Sequence, residues 1–336
     1  MNSLRKTHVK DPEKKIFERL KTLIEGHQRF LITTHVLPDG DGLGGEIALA
    51  EHLKTLGKEV SIVNSDPTPE KFGLVDPDFE IQVWDPKKPL PQVDLVFAID
   101  VNDRPRLGPL NKALELLKAK VVFIDHHISD ETMKHDHIID EDISSMGEML
   151  HRYFEVVDAE VTFKMALAMY VSIFTDTNAF RHRKTTALSH KICASLVEVG
   201  VDPNEVFRRV HQTRSINQMH LLGEVLKNVK TRCQGKIAWV EIPQSLQQKY
   251  EATAEDTQAF VDYLLILKEV EVGLLFREEE NGKIKISFRS KGKVEIFPLV
   301  QKLGGGGHAF EAGVACEGKM QDVVQSVLEA VEKLVS

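Results

Sequence analysis

Short apolar runs that end in an aspartate or a histidine recur along this chain. FLITTH ends at His35, LVFAID ends at Asp100, and KVVFID ends at Asp125. Runs rich in β-branched and aromatic residues are typical of strands, and their alternation with helical patterns predicts βαβ units on a parallel sheet. Because open parallel sheets place their sites at the carboxyl ends of the strands, we expect these polar side chains to lie close together.

Further acidic and imidazole residues accompany these strand ends. In TTHVLPDGDGLGG, Asp39 and Asp41 fall in a glycine-rich loop, where their spacing lets both carboxylates approach one site. A Pro-Asp-Gly turn with an acidic helix start would also explain this loop taken alone. Two histidines directly follow Asp125, however, and Asp176 follows the apolar segment VTFKMALAMYVSIF. The joint occurrence of these clusters favours a shared ligand.

Side chains of this kind predict a pair of divalent metal ions. Imidazole and carboxylate donors without a thiolate suit Mn²⁺, with Mg²⁺, Co²⁺ and Zn²⁺ as alternatives. Two such ions can hold a phosphoryl group between them and activate water as the nucleophile. The strand ends therefore predict the hydrolysis of a phosphate ester.

The C-terminal part of the chain predicts a second α/β unit with an anion site. Strands are expected at KIAWVEI, VEVGLLFRE, KIKISFRS and AGVACEG, and helices at DTQAFVDYLLIL, VEIFPLVQKL and the C-terminal end. The glycine run from Gly304 to Gly307, followed by His308, can bring backbone amides close to an anion, although glycines alone also suit a flexible loop. Arg289 and Ser290 end a predicted strand, and a guanidinium suits bidentate contact with phosphate.

Composition limits the classes of protein to which the chain can belong. Its 336 residues suffice for two domains, and 42% apolar with 28% charged residues is ordinary for a soluble globular protein. The longest apolar runs are too short to cross a membrane and the polar N-terminus lacks a secretion signal, which predicts a cytoplasmic protein. The net charge of −8 argues against a broad basic surface that coats long nucleic acid.

From about residue 16 to residue 336, this ordered set of motifs resembles the DHH family of phosphoesterases with the DHH-associated C-terminal domain. The resemblance implies an α/β fold in two domains. A parallel-sheet DHH catalytic domain would span 1–190, a helical linker 191–230, and a smaller α/β DHH-associated substrate-binding domain 231–336. The active site is expected in the cleft between the domains.

The resemblance also implies a role for each motif residue. One metal ion would be held by His35, Asp39 and Asp100, and the other by Asp41, Asp100, His126 and Asp176, so that Asp100 bridges. Asp125 would orient an imidazole, and His127 would face the scissile phosphate, so Asp100, Asp125 and His127 are the expected catalytic residues. The substrate would be bound by Arg289, Ser290, Gly305, Gly306 and His308.

The activity that the resemblance implies is the hydrolysis of very short oligoribonucleotides (nanoRNA) to mononucleotides and the conversion of pAp to AMP. With the same two metals, the alternative is a phosphodiesterase for cyclic dinucleotides such as c-di-AMP, or for their linear products pApA and pGpG. A non-catalytic nucleotide sensor would be expected to have lost a ligand, yet every expected ligand is present. A homodimer is also implied, since dimers are common in the family.

Three positions depart from the family pattern. Asn178 stands where glycine is usual, Gly45 where serine is common, and Glu311 where alanine is usual beside the glycine run. Glu311 is expected to affect which anionic substrates are tolerated. A basic group from Arg181 to Lys184 follows the Asp176 loop and suits either a substrate phosphate or a solvated helix start.

Overall fold

The computed structural model describes residues 11–127, 137–307 and 309–335. The chain divides into two compact units, Met1–Thr213 and Arg214–Ser336, and each unit contains a six-stranded sheet. The prediction of two α/β units is confirmed.

A parallel sheet forms the centre of the first unit. Its strands are β1 (Arg29–Thr33), β2 (Glu59–Asn64), β3 (Ile81–Val83), β4 (Leu95–Ile99), β5 (Lys120–Asp125) and β6 (His137–Ile139), in the order β3-β2-β1-β4-β5-β6. All five of these pairings are parallel. The strands that follow β1 extend to one side of it and those that follow β4 extend to the other, so the strand order reverses between β1 and β4. Open parallel sheets bind their ligands at such a switch point.

Helices bury both faces of this sheet. They are α1 (Asp11–Gly26), α2 (Gly40–Thr55), α3 (Leu110–Leu116), α4 (Met146–Val156), α5 (Phe163–Asp176), α6 (Ala187–Val199) and α7 (Pro203–His211). Side chains alternate along β1, so Phe30 and Ile32 pack into the core that includes α2, α4 and α5, while Leu31 packs on the other face with Leu110 and Leu114 of α3. Burial of both faces explains why the strands read as unbroken apolar runs.

The second unit is built on a mixed sheet. Its elements are α8 (Ile216–Lys227), β7 (Lys230–Arg232), β8 (Ile237–Ile242), α9 (Gln244–Lys249), α10 (Ala254–Gln258), β9 (Val272–Glu278), β10 (Ile284–Ser290), α11 (Phe297–Lys302), β11 (Gly306–Gly307), β12 (Glu311–Cys316) and α12 (Met320–Val335). The strand order is β11-β12-β10-β9-β8-β7; β8 and β9 are parallel and the other pairs are antiparallel. Strand β10 therefore has β9 and β12 as antiparallel neighbours.

One predicted helix of the second unit takes a different form. DTQAFVDYLLIL was expected to form a single helix, but it begins inside the short helix α10 and continues as a 3-10 helix at Ala259–Ile266. Phe260, Val261 and Leu264 of that segment are buried against the sheet. Packing of this apolar segment decided the local geometry, which helix propensity alone does not specify.

The predicted domain boundaries differ in position from the division of the chain into units. The segment 191–230 is helical, as expected, but the division falls at Thr213, so α6 and α7 belong to the first unit and α8 to the second. A linker role for 191–230 therefore stays a prediction. Among the described helices, none combines the length and the apolar character that a membrane span requires.

Candidate metal centre

Two of the predicted ligands lie at the switch point of the parallel sheet. His35 follows β1 and Asp100 follows β4, and the neighbouring Thr34 hydroxyl donates to the carbonyl of Ile99 at 2.8 Å. Asp100 has a positive φ of 57°, which is uncommon for an aspartate, and its amide donates to the carbonyl of Ile124 at 2.9 Å. Backbone strain of this kind is found where a side chain must be aimed in a particular direction.

The loop after β1 brings two more carboxylates to the same place. Asp39 caps α2, because its Oδ1 accepts from the amides of Asp41 at 2.9 Å and Gly42 at 3.2 Å. Helix α2 packs closely against β4 and α4, and a Cβ at Gly45 would lie 2.6 Å from Cγ2 of Ile99. This close approach explains why a glycine stands at position 45.

Asp41 is buried and is held by groups from two other helices. Its Oδ1 accepts from the amide of Met146 at 2.9 Å and from the hydroxyl of Ser172, while its Oδ2 lies 3.0 Å from Nε2 of His126. Sequence reasoning did not single out Ser172. The available signal was a hydroxyl in a largely apolar segment, one helical turn before Asp176.

The predicted ligands form two groups that share Asp100. On one side, Nε2 of His35 lies 3.2 Å from Oδ2 of Asp100 and 3.9 Å from Oδ1 of Asp39. On the other side, Nε2 of His126 lies 3.7 Å both from Oδ1 of Asp100 and from Oδ2 of Asp176. Within each of the sets His35, Asp39, Asp100 and Asp41, His126, Asp176, the ligand atoms all lie within 4.8 Å of one another. Asp100 thus presents a different oxygen to each group.

The His35 ring and the Asp100 carboxylate fit a cation. Nδ1 of His35 lies 2.8 Å from the carbonyl oxygen of Val36, and because a carbonyl only accepts, Nδ1 carries the proton of the neutral ring. Nε2 is then an acceptor that faces two carboxylates, and both it and Oδ1 of Asp100 are buried without a hydrogen-bond partner. Buried acceptors that face each other are costly unless a proton or a metal cation lies between them, so this donor set fits a divalent metal and binds a proton on Nε2 where no metal is bound.

The same carboxylates raise the pKa of the imidazoles. Burial is the largest single influence on His35 and lowers its pKa, but Asp100 and Asp39 together raise it to about 10. Burial likewise acts to lower the pKa of His126, and Asp41 with the other carboxylates raises it to about 9. Burial alone would raise the pKa of Asp100, yet His127 and His35 hold it well below its usual range. The strong negative field that binds these protons would also bind cations, so protons and metal ions compete.

The Asp125 carboxylate contacts the imidazole of His127 rather than the imidazole of the predicted ligand His126. Its Oδ1 lies 2.7 Å from Nδ1 of His127 and accepts from the backbone amides of His126 at 2.7 Å and His127 at 3.2 Å. Nδ1 of His127 is also 3.3 Å from Oδ1 of Asp100. Asp125 therefore orients the imidazole that was predicted to face the phosphate, and it sets the backbone that carries both histidines.

The segment after Asp176 is backbone-strained. Asn178, Ala179 and Phe180 have positive φ values of 48°, 54° and 64° in succession. This region favours glycine and, among other residues, tolerates asparagine well, which suits Asn178 to the first of these positions. The strained turn leads into the predicted basic group, and Nζ of Lys184 donates to the carbonyl of His126 at 3.2 Å.

The predicted substrate residues of the second unit have internal partners. Arg289 and Ser290 are the last two residues of β10, and the amide of Ser290 donates to the carbonyl of Phe310 at 2.9 Å. The amide of Gly305 donates to the carbonyl of Val300 at 2.9 Å, and Gly306 pairs with β12. The glycine run is thus partly a strand edge. His308 lies outside the described residues.

Family models match both units. The model of the DHH family N-terminal domain matches residues 29–175, and the model of the DHHA1 domain matches residues 234–336. The chain belongs to the DHH family, with a DHHA1 domain after the DHH domain, which confirms the resemblance inferred from the motifs.

Similar proteins cover almost the whole chain. A Thermus thermophilus protein named bifunctional oligoribonuclease and PAP phosphatase NrnA is 29% identical, with 96% of each chain covered. A Bacillus subtilis protein of the same name is 27% identical over 86% of this chain and 90% of that one. The solved structure of an exopolyphosphatase-related protein from Bacteroides fragilis has a TM-score of 0.87 at 25% identity and covers 95% of this chain and 96% of that one.

Proposed function

We propose that this protein is a metal-dependent phosphoesterase that hydrolyses very short oligoribonucleotides to mononucleotides and removes phosphate from pAp to give AMP. The observation that carries the proposal is the arrangement around Asp100, whose two oxygens face His35 on one side and His126 on the other. Two ligand groups that share one carboxylate suit a pair of ions. The names of relatives that match over most of the chain support the substrates.

The proposed cofactor is a pair of Mn²⁺ ions, with Mg²⁺, Co²⁺ or Zn²⁺ as alternatives, because the donors are carboxylates and imidazoles. When bound, such ions polarise phosphoryl oxygens and lower the pKa of a water molecule. One ion is assigned to His35, Asp39 and Asp100, and the other to Asp41, Asp100, His126 and Asp176.

Residues around the predicted ligands orient them. The carbonyl of Val36 selects the tautomer of His35 that leaves Nε2 as a ligand, and the Met146 amide with the Ser172 hydroxyl holds Asp41. Asp125 accepts from Nδ1 of His127, which turns the opposite edge of the ring away from the carboxylates. We assign that edge to the scissile phosphate, where an imidazole N–H would stabilise the developing charge.

Binding of the substrate is assigned to Arg289, Ser290, Gly305, Gly306 and His308, with Lys184 as an additional cation near the metal centre. The net charge of −8 favours small anionic substrates over long nucleic acid, because a protein with little basic surface gains little from displacing counterions. A homodimer, a cytoplasmic location and the three-part division of the chain stay predictions.

The proposal is tested with the purified full-length protein and a panel of substrates. We expect added Mn²⁺ to release phosphate from pAp and mononucleotides from dinucleotide RNA, with rates that fall as the RNA lengthens, and EDTA to abolish both reactions. No Mn²⁺-stimulated release from pAp or from dinucleotide RNA would contradict the proposal. Hydrolysis of a cyclic dinucleotide, pApA or pGpG in their place would support the alternative activity.

A further inference from the structure

Every nitrogen of the Arg289 guanidinium has a partner within the second unit. Nε donates to Oδ1 of Asp262 at 3.2 Å, Nη1 donates to the carbonyl of Phe288 at 3.1 Å, and Nη2 contacts Oε1 of Glu311. The Arg289 side chain is only 14% exposed. Arg289 is thus the centre of a small network with two carboxylates.

Those two carboxylates cover one particular edge of the guanidinium. Nε and Nη2 point in nearly parallel directions along that edge, which is one of the two that can hold a carboxylate or a phosphate through two hydrogen bonds. Asp262 occupies Nε and Glu311 occupies Nη2. A phosphate that binds there must therefore displace at least one carboxylate.

Glu311 is the partner that can leave. It lies directly opposite Arg289 in the antiparallel pairing of β10 with β12, so the sheet itself brings the two side chains together. The Glu311 side chain is 58% exposed and that of Asp262 is 45% exposed, so Glu311 is the carboxylate that regains more solvent contact when a phosphate takes its place. An alanine at position 311 could not make this contact, so the charge beside the guanidinium depends on the glutamate side chain.

We propose that Glu311 is a specificity-determining residue that competes with a substrate phosphate for the guanidinium of Arg289. The inference rests on the proposed function, in which Arg289 binds substrate. Because Glu311 and Asp262 keep negative charge beside the guanidinium, they repel a doubly charged phosphomonoester more than a singly charged phosphodiester. Glu311 therefore shifts the preference of the enzyme away from pAp and toward the internucleotide linkage of short RNA.

The test combines Glu311→Ala, Arg289→Ala and the double variant. We expect Glu311→Ala to lower KM for pAp about fivefold, with a smaller decrease for dinucleotide RNA and little change in kcat. Arg289→Ala should raise KM, and adding Glu311→Ala to it should bring no further improvement, because the glutamate acts through the arginine. Glu317→Ala is the matched control: it removes the same charge from an 84% exposed glutamate that pairs with Lys283, and KM should not change.

A binding arm separates this inference from the proposed activity. The same variants are titrated calorimetrically with pAp in the presence of EDTA, where no turnover is expected. Tighter binding by Glu311→Ala that depends on Arg289 supports the competition even if the parent hydrolyses neither substrate, in which case only the proposed activity fails. The competition is overturned if Glu311→Ala leaves both KM and the dissociation constant unchanged, or if it improves binding equally in the Arg289→Ala background.

Discussion

The two units of the chain differ in how their charged groups find partners. In the first, buried ligand atoms face one another around Asp100, and a pair such as Nε2 of His35 and Oδ2 of Asp100 needs a proton or a cation between its members. In the second, the guanidinium of Arg289 is paired with Asp262 and Glu311. The arrangement around Asp100 indicates a cation as its ligand, because a cation would satisfy the facing carboxylates and imidazoles. The arrangement around Arg289 can bind an anion only when one of its two carboxylate partners is removed.

The comparison also separates two ways of holding functional groups. Around the candidate metal centre, Asp100 and the segment 178–180 adopt positive φ values, and Asp41 is held by side-chain and backbone donors from other helices. Arg289 instead lies within a regular antiparallel strand, where cross-strand pairing supplies its partner Glu311. Strain and buried donors indicate a site built for one geometry, whereas a pair in a sheet with one exposed member can exchange partners.

The largest expected effect comes from removing the shared carboxylate of the first unit. Asp100→Asn should lower Mn²⁺-dependent turnover of pAp by about three orders of magnitude or more, because both ligand groups lose a charged member. Asp103→Asn, on an exposed residue of the same loop, is the control and should keep the activity of the parent. Near-parent turnover of Asp100→Asn in a phosphate-release assay would refute the role of the metal centre.

A smaller loss is expected from the residue that orients His127. Asp125→Asn should lower kcat about 10- to 100-fold, because the amide pairs less strongly with the imidazole and no longer fixes its tautomer. The measurement is kcat and KM for pAp, with circular dichroism to show that the fold is retained. Turnover within about twofold of the parent, a difference of about 0.4 kcal/mol, would show that His127 does not depend on this partner.

The affinity for metal ions should increase with pH, because the pKa values of the ligand imidazoles are raised. The pKa of His35 is raised to about 10 and that of His126 to about 9, so both rings are protonated near neutral pH and lose their protons as pH rises. A metal ion must displace those protons, so affinity for Mn²⁺ should increase between pH 6 and pH 8, by up to about tenfold per pH unit for each proton displaced. Calorimetric titration with Mn²⁺ across this range checks the trend, and affinity that stays constant or falls would contradict it.

The smallest effects are on stability, and they contrast glycines of the two units. A Cβ at Gly44 in α2 would overlap the carbonyl of Ala168 in α5, so Gly44→Ala should destabilise the protein by about 1–3 kcal/mol. Gly223 in α8 has nothing within 4 Å of such a Cβ, so Gly223→Ala should stabilise by about 0.5–1 kcal/mol. Urea unfolding of both variants tests the contrast, and a shift in the same direction for both would refute this account of the helix packing.

Much of the fold follows from local patterns in the sequence. The apolar runs that became β1, β4 and β5 were predicted, because strands buried on both faces read as continuous apolar segments. Strands β3 and β6 contain three residues each, too few for a periodic signal, and they were not predicted. Long strands and helices can therefore be predicted from the sequence. Short edge strands such as β3 and β6 form by pairing with a neighbouring strand, which the local sequence does not show.

The candidate site divides in the same manner. Convergence of His35, Asp100 and His126 was predicted, because parallel strands end at one edge of the sheet. The donors that hold Asp41 were not predicted, because Met146 and Ser172 lie 105 and 131 residues from it along the chain. No local pattern specifies such a distant hydrogen bond.

The sequence by itself determined which residue types stand at the ends of the strands, and with them the family, the sheet and the class of ligand. Only the tertiary structure decided that Asp100 turns one oxygen to each histidine, that Asp125 contacts His127, and that Glu311 lies opposite Arg289. The physical reason is that hydrogen bonds and ion pairs depend on direction over a few ångströms, which strand register and helix packing set, while residue type and spacing along the chain do not.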